Sequence, residues 1–286
     1  MPITLAPNAD LAHTITAEVT VEAEYGSIVI EGTRYTAAHH GGEWAGRPAP
    51  CNDAAVPVVG DAATLLVSHL DLDTFGGCLR ALGADLFGPE TRSFWALAEF
   101  VDLRGPHKLG QSGASETDLE SLYAFWAWAK VAVPRLSRDE ITDVTGHVQA
   151  AGDALRGIFA GDDAMLDAGR EFRAAETALN VRTFERADGP VIVRVAEVAA
   201  DFCNHLYATP SGSPARAVAC YNREFGSVTL SLADPEAGVS CREMVQAVWG
   251  SEAGGHDGIA GSPRGLDVGE EGLEAAVVVL AARLGR

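Results

Sequence analysis

The stretch "SHLDLDTFGG", Ser68 to Gly77, decides how this chain is read. It follows the apolar run "AATLLV" and leads into "CLRALGADLFG". Residues 63 to 67 have the texture of a buried parallel strand, and residues 75 to 87 that of the helix after it. A histidine and two aspartates alternate across the junction. Residues two apart on a strand point to the same face. His69, Asp71 and Asp73 are therefore expected to project together beyond the strand's carboxyl end, where open α/β sheets bind ligands. One imidazole and two carboxylates suit Mn²⁺, Mg²⁺ or Zn²⁺ better than a thiolate-seeking metal. The alternative is a polar loop in which Asp71 or Asp73 caps the helix. The spacing alone leaves both readings open.

Working outward, residues 14 to 37 alternate and are rich in Val, Ile, Thr and Tyr, which predicts strands. A loop rich in Gly and Pro follows, "HHGGEWAGRPAPCNDAAVP". Downstream, "FWALAEFVDL" is expected to end in a strand before "RGPHKLG" turns the chain. From Thr117 to Asn180 apolar residues recur at helical spacing. Ser115 or Thr117 is the expected cap of a helix that Pro134 ends. Ser137 with Glu140 has capping-box spacing for the next one. The aromatics Phe125 to Trp128 read as core. After "RADGPV" the strand texture returns in "VIVRVA", "ARAVACYN" and "GSVTLSLAD". Helices are expected at "EVAADFCNHLYA", at "SCREMVQAVWG" stopping at Gly250, and at "EEGLEAAVVVLAARLG". Strands alternating with helices on both sides of a helical stretch predict an α/β protein of two α/β lobes joined by a helical segment. The expected boundaries are 1–115, 116–188 for the connector, and 189–286.

The bulk composition narrows the function. With 47% hydrophobic residues in 286, a sizeable core can be buried. A net charge of −19 argues against sustained binding to long nucleic acid. It permits a small phosphorylated or anionic substrate, because a bound cation inverts the local field. The five cysteines are odd in number, dispersed and without a C-x-x-C pair, which fits reduced thiols in a cytoplasmic protein. No stretch approaches the roughly 20 apolar residues of a membrane span. "MPITLAPNAD" lacks the basic-then-apolar pattern of a signal peptide.

Three further clusters are candidates. His39 and His40 end a strand-like run and precede two glycines. Asp102 ends another apolar run, with His107 five residues on. In "GSEAGGHDGIAGSPRG" the glycines, including Gly254 and Gly255, let backbone approach an anion, with His256 and Arg264 as phosphate contacts.

Taken together these motifs resemble a known family. "SHLDLDTFGGCLRAL" is similar to the first motif of the DHH phosphoesterase superfamily. "GSVTLSLADPEAGVSCREMVQAVWGSEAGGHDGIAG" resembles its associated DHHA1 domain, with strand, helix and Gly-Gly-His loop in order. "AAHHGGEWAGRPAPCND" resembles the stretch around the family's Asp-His-His triplet, with Ala38 in the place of the Asp. It stands before the first motif, whereas the family places it after. Thr74 stands where the first motif usually has Gly. The resemblance implies a DHH-like metal-binding lobe and a DHHA1-like substrate lobe. It implies that His69, Asp71, Asp73 and Asp102 bind divalent metal, Mn²⁺ or Mg²⁺, with His39 and His40 as rearranged ligands. Asp73, Asp102 and His107 would be catalytic, and Gly254, Gly255, His256 and Arg264 would hold substrate. The activity implied is that of a metal-dependent phosphohydrolase acting on a small phosphate ester or nucleotide, with a homodimer left open. The alternative is a re-purposed relative that binds a small anionic ligand or hydrolyses a non-phosphate bond.

Overall fold

The computed structural model describes residues 2–23, 30–39, 44, 46–60, 62–134, 136–137, 139–182, 184–188, 191–198, 206–207, 215–234, 236–263 and 266–285. The chain divides into two compact units, 1–105 with 109–173, and 106–108 with 174–286. Each carries its own sheet with helices packed on it, so both are α/β.

In the first unit the strands are short and buried. They are β1 (Ile3–Leu5), β2 (Val19–Val21), β3 (Tyr35–Ala37), β4 (Leu65–Val67) and β5 (Thr142–Asp143), in the order β3-β2-β4-β1-β5. A four-residue helix, α1 (Ala9–Ala12), follows β1 and is capped by the Asn8 side chain. The first four strands are mutually parallel, and β5 runs antiparallel on the far side of β1. Val21 lies opposite both Ala37 and Val67. The chain therefore leaves β2, β3 and β4 at one level of the sheet, and that alignment positions the site.

The longer helices lying wholly within this unit are α2 (Leu72–Ala81), α3 (Arg92–Arg104), α4 (Glu116–Ala132) and α5 (Thr145–Phe159). Ser115 caps α4, its hydroxyl accepting from the Asp118 N–H at 3.1 Å. Phe75, Phe125 and Trp128 meet edge-on or tilted over the sheet, so the tryptophan-rich run belongs to the core. Helix α6 (Asp163–Arg182) carries the chain from the first unit into the second.

The second unit holds β6 (Phe184–Asp188), β7 (Val191–Val198), β8 (Ala217–Asn222) and β9 (Ser227–Leu232). Helix α7 (Cys241–Trp249), the hairpin β10 (Gly254–Gly255) with β11 (Ile259–Gly261), and helix α8 (Gly269–Leu284) complete it. The strand order is β10-β11-β9-β8-β7-β6, antiparallel except between β7 and β8. Ser240 caps α7 through the Glu243 N–H, and Gly250 ends it at φ 80°, a conformation glycine adopts without steric cost.

Several expectations need correction. "FWALAEFVDL" is helical throughout, inside α3, because its apolar residues cover one helix face against the core. The helix expected from Ser137 starts instead at Thr145, after β5 has joined the sheet beside β1. The Ile3 N–H then donates to the Thr145 hydroxyl at 2.9 Å, tying the first strand to α5. Residues 116–173 are no separate connector: α4 and α5 pack in the core of the first unit. The helix after Ala63–Val67 spans 72–81 rather than 75–87. Most of the helix expected at "EVAADFCNHLYA" lies outside the described residues.

Two glycines in α2 explain a second feature of the opening stretch. A Cβ on Gly76 would stand 2.4 Å from the Cys51 Cβ and 2.7 Å from Trp95. One on Gly77 would stand 2.6 Å from Val21 and 2.7 Å from Pro50. The "GG" thus lets the loop 49–51 lie directly against the helix. Replacing glycine inside a helix by alanine gains about 1 kcal/mol of propensity, but overpacking a tight site costs typically about 1–3 kcal/mol. With backbone and ring atoms both in the way, the upper part of that cost applies, and Gly76→Ala should be net destabilising by up to about 2 kcal/mol. Gly146→Ala, in α5 with open space around it, should be neutral or stabilising. Urea denaturation of the two variants beside wild type checks this, and a stabilised Gly76→Ala would refute the close packing.

Candidate metal centre

Three chain segments emerge from the sheet at the same level and meet. Glu22 directly follows β2, and its N–H still donates to the Ala37 carbonyl of the neighbouring strand at 3.0 Å. His39 follows β3 by two residues. Asp73 lies in the first turn of α2, beyond β4. Glu22, His39 and Asp73 are 3%, 4% and 3% exposed. Their donor atoms lie within 4.8 Å of one another, forming a group that can hold a metal ion.

The geometry centres on the His39 ring. Its Nε2 stands 2.9 Å from Asp102 Oδ2, 3.4 Å from Glu22 Oε1 and 3.8 Å from Asp73 Oδ2. Asp102 comes from the last turns of α3. Ligand atoms about 2.1 Å from a divalent ion stand roughly 3.0 Å apart at right angles and roughly 3.4 Å apart at tetrahedral angles. The spacing around the imidazole is of that size. The Asp73 and Asp102 oxygens facing the ring are buried, and neither makes a hydrogen bond. Several carboxylates packed against one imidazole cannot all ionise in a dry site, because like charges there raise one another's pKa. Burial, with the charges of Asp71 and Glu22, pushes the Asp73 carboxyl up to about 8, against the Cys51 N–H, which lowers it. A divalent cation would relieve that repulsion, so the donor set fits a metal.

Glu22 carries a second mark. Its φ is +50°, in the left-handed region that a long side chain adopts at a cost. Residues held so are enriched at binding and catalytic sites. The bend falls where the buried carboxylate joins the group at the end of β2. Sequence reading missed Glu22 because "EVTVEAEY" looks like one continuous alternating strand. The available signal was an ionisable residue just after a short apolar run, the broader pattern that also singled out His69 after β4.

The other half of the opening motif does different work. β4 ends at Val67, so His69, Asp71 and Asp73 do not share a strand face. The alternation has another cause. Asp71 is the N-cap of α2, with Oδ1 accepting the Thr74 N–H at 2.8 Å. The cap that was the alternative reading is therefore present. Oδ2 of Asp71 faces His69 Nε2 at 3.1 Å. On the other side of that ring, Nδ1 lies 2.8 Å from Ser68 Oγ, which gives its own proton to the Glu22 carbonyl. Both ring nitrogens thus face oxygen atoms able to accept, an arrangement that favours the protonated ring. Burial lowers the His69 pKa, but the hydrogen bond and charge of Asp71 and the charges of Glu22 and Asp102 outweigh it, and the net shift is upward. Burial raises Asp71, but His69 and the Thr74 N–H outweigh it and hold that carboxyl low. His69 and Asp71 are thus a half-exposed ion pair beside the buried group.

The remaining candidates are placed as follows. His40, Arg264 and the side chain of His107 lie outside the described residues. Gly254 and Gly255 are strand residues of the β10–β11 hairpin, paired with Gly261 and Ala260. His256 is exposed in the turn of that hairpin, closed by its N–H to the Ile259 carbonyl at 2.7 Å. That hairpin belongs to the second unit, the buried group to the first.

Comparison with known proteins adds little. No protein-family model and no curated protein matches the chain. A crystal structure of an uncharacterized protein from Helicobacter pylori is similar over 78% of this chain and 69% of that one, at 10% identity and a TM-score of 0.24.

The raised Asp73 carboxyl fixes the sign of a pH effect. The folded, metal-free protein holds this proton more tightly than the unfolded chain does. The contribution to stability is then fully present below about pH 4, the unfolded value. It is lost as pH rises through about 8. In chelator, the thermal midpoint should fall across that window. Asp73→Asn, which has no proton to lose, should flatten the slope. Parallel pH profiles for the two proteins would show that Asp73 is not the group responsible.

Proposed function

We propose that the first unit is the catalytic lobe of a divalent-metal-dependent hydrolase acting on a small phosphate ester, a rearranged relative of the DHH phosphoesterases. One observation supports this reading above the rest. Carboxylates and an imidazole converge, buried, at the carboxyl ends of three parallel strands. In the resemblance the triplet's Asp is replaced by Ala38, and Glu22, just past the neighbouring strand β2, would supply the missing carboxylate. An oxygen-rich set with a single imidazole favours Mn²⁺ or Mg²⁺.

The residues divide the work. Glu22, His39 and Asp73 would hold the ion, and Asp102 sits against the His39 ring. Such an ion, when bound, lowers the pKa of bound water and polarises a phosphoryl oxygen. Asp102, less buried than the other three, would accept a proton from a nucleophilic water. His69, half-exposed beside the group and with its pKa shifted upward by Asp71, would when protonated offer a positive contact for a phosphate oxygen. Among the described residues no helix is long and apolar enough to cross a membrane.

Elemental analysis and assays with a panel of small phosphate esters test the reading. Wild type should bind one or two metals per chain and hydrolyse at least one ester in Mn²⁺ or Mg²⁺. Glu22→Gln and Asp73→Asn should lose the metal, with activity falling 100-fold or more, roughly the scale of a lost transition-state interaction of about 3 kcal/mol. Asp71→Ala should keep its metal and lose about 0.5–2 kcal/mol of stability, the usual value of an N-cap. Metal lost from Asp71→Ala but kept in Glu22→Gln would reverse the assignment. Metal bound without hydrolysis of any ester would favour a re-purposed binding protein.

A further inference from the structure

Asp73 uses its two oxygens differently. Oδ2 faces His39, while Oδ1 accepts the Cys51 N–H at 2.8 Å. Cys51 lies in "APCND", residues 49–53, a loop with no regular hydrogen-bond ladder of its own. Something must hold that N–H in place. Glu99, on α3, does so from one side. Its Oε1 accepts the Ala49 N–H at 2.9 Å, and its Oε2 accepts the Asn52 side-chain amide at 2.7 Å. Arg80, on α2, does so from the other, its Nε donating to the Cys51 carbonyl at 2.7 Å. Gly76 removes the Cβ that would otherwise drive α2 off Cys51. Glu99 and Asp102 are three residues apart on α3 and so share a helix face.

Resting on the metal-centre reading, we infer that Glu99 is a positioning residue for the ligand carboxylate of Asp73. By bridging the backbone at Ala49 and the side chain at Asn52, it fixes the Cys51 N–H between them. That N–H takes up Oδ1 and leaves Oδ2 as the donor aimed at His39. The same helix presents Asp102 to the imidazole, so one rigid element sets the direction of two of the acids around it. Hydrogen-bond partners behind a ligand orient it, and their loss typically costs about 10- to 100-fold in metal affinity. Glu99 touches none of the donor atoms itself, and its role is indirect.

The test uses the full-length chain and Mn²⁺ alone as probe, with bound ion read by titration calorimetry and by its electron paramagnetic resonance line shape. Glu99→Ala should weaken Mn²⁺ binding by about 10- to 100-fold and broaden or shift the bound-ion signal. Glu99→Gln should restore most of both. Its amide oxygen still accepts from Ala49, and the Asn52 amide can turn to meet its nitrogen. A purely structural role would lower the unfolding midpoint of Glu99→Ala while leaving the affinity and line shape of the folded fraction at wild-type values, and that result overturns the inference. An equal loss in Glu99→Gln overturns it too, because charge and not orientation would then matter. If Glu99→Ala does not fold, Asn52→Ala removes one arm of the bridge, and wild-type Mn²⁺ affinity in that variant likewise counts against the proposal. Failure of wild type to bind Mn²⁺ sinks the metal-centre reading itself, a distinct outcome from wild type binding and the variants matching it.

Discussion

The interaction on which the first unit depends is the burial of acidic groups around the single imidazole of His39. Buried polar groups without partners cost stability, and buried charges cost more. A small sheet of three-residue strands has little reason to place Glu22, Asp73 and His39 in its interior unless the arrangement is used. Three features nearby accompany them. The register Val21–Ala37–Val67 brings the strand ends level. Glu22 is left-handed where its buried carboxylate joins the group. The Cys51 N–H fixes one oxygen of Asp73.

The ion pair of His69 and Asp71 shows how one motif can carry two separate jobs. Asp71 closes the first turn of α2 and, by facing His69, favours the protonated form of that ring beside an acidic cluster. Asp73, two residues on, has entered the helix and points into the interior. A single peptide segment thus supplies a cap, an imidazole paired with it and a buried acid. Their alternation comes from the N-terminal turn of a helix rather than from a strand.

Much of this was legible in the sequence, but not for the right reasons throughout. The strand at residues 65–67, the helix after it, and the α/β character of both halves follow from apolar runs and caps that local pattern records. His39, Asp73 and Asp102 stood out as polar residues at the ends of apolar runs. Asp102 was placed on a strand because a short apolar run fits a strand or a buried helix equally well. Glu22 escaped because its place in the site depends on a backbone bend that alternation does not reveal. The role of Glu99 is tertiary: it joins residues about fifty positions apart, and no local spacing announces it.

The order of segments in the first unit has a consequence for synthesis. Strands β2, β3 and β4 are neighbours in the sheet and nearly consecutive in the chain, and the acids and imidazole all fall between residues 22 and 102. Growing from its N-terminus at about 5–20 residues per second, the chain brings out the whole donor set before the elements that close the unit exist. Strand β5 and helix α5, which seal β1 and pack on α2, come only after residue 140. For some seconds the acids emerge on a nascent sheet still open to solvent, where water can hydrate them and a cation can reach them. Strand β5 and helix α5 then complete the core around a sheet whose donor set has already been made.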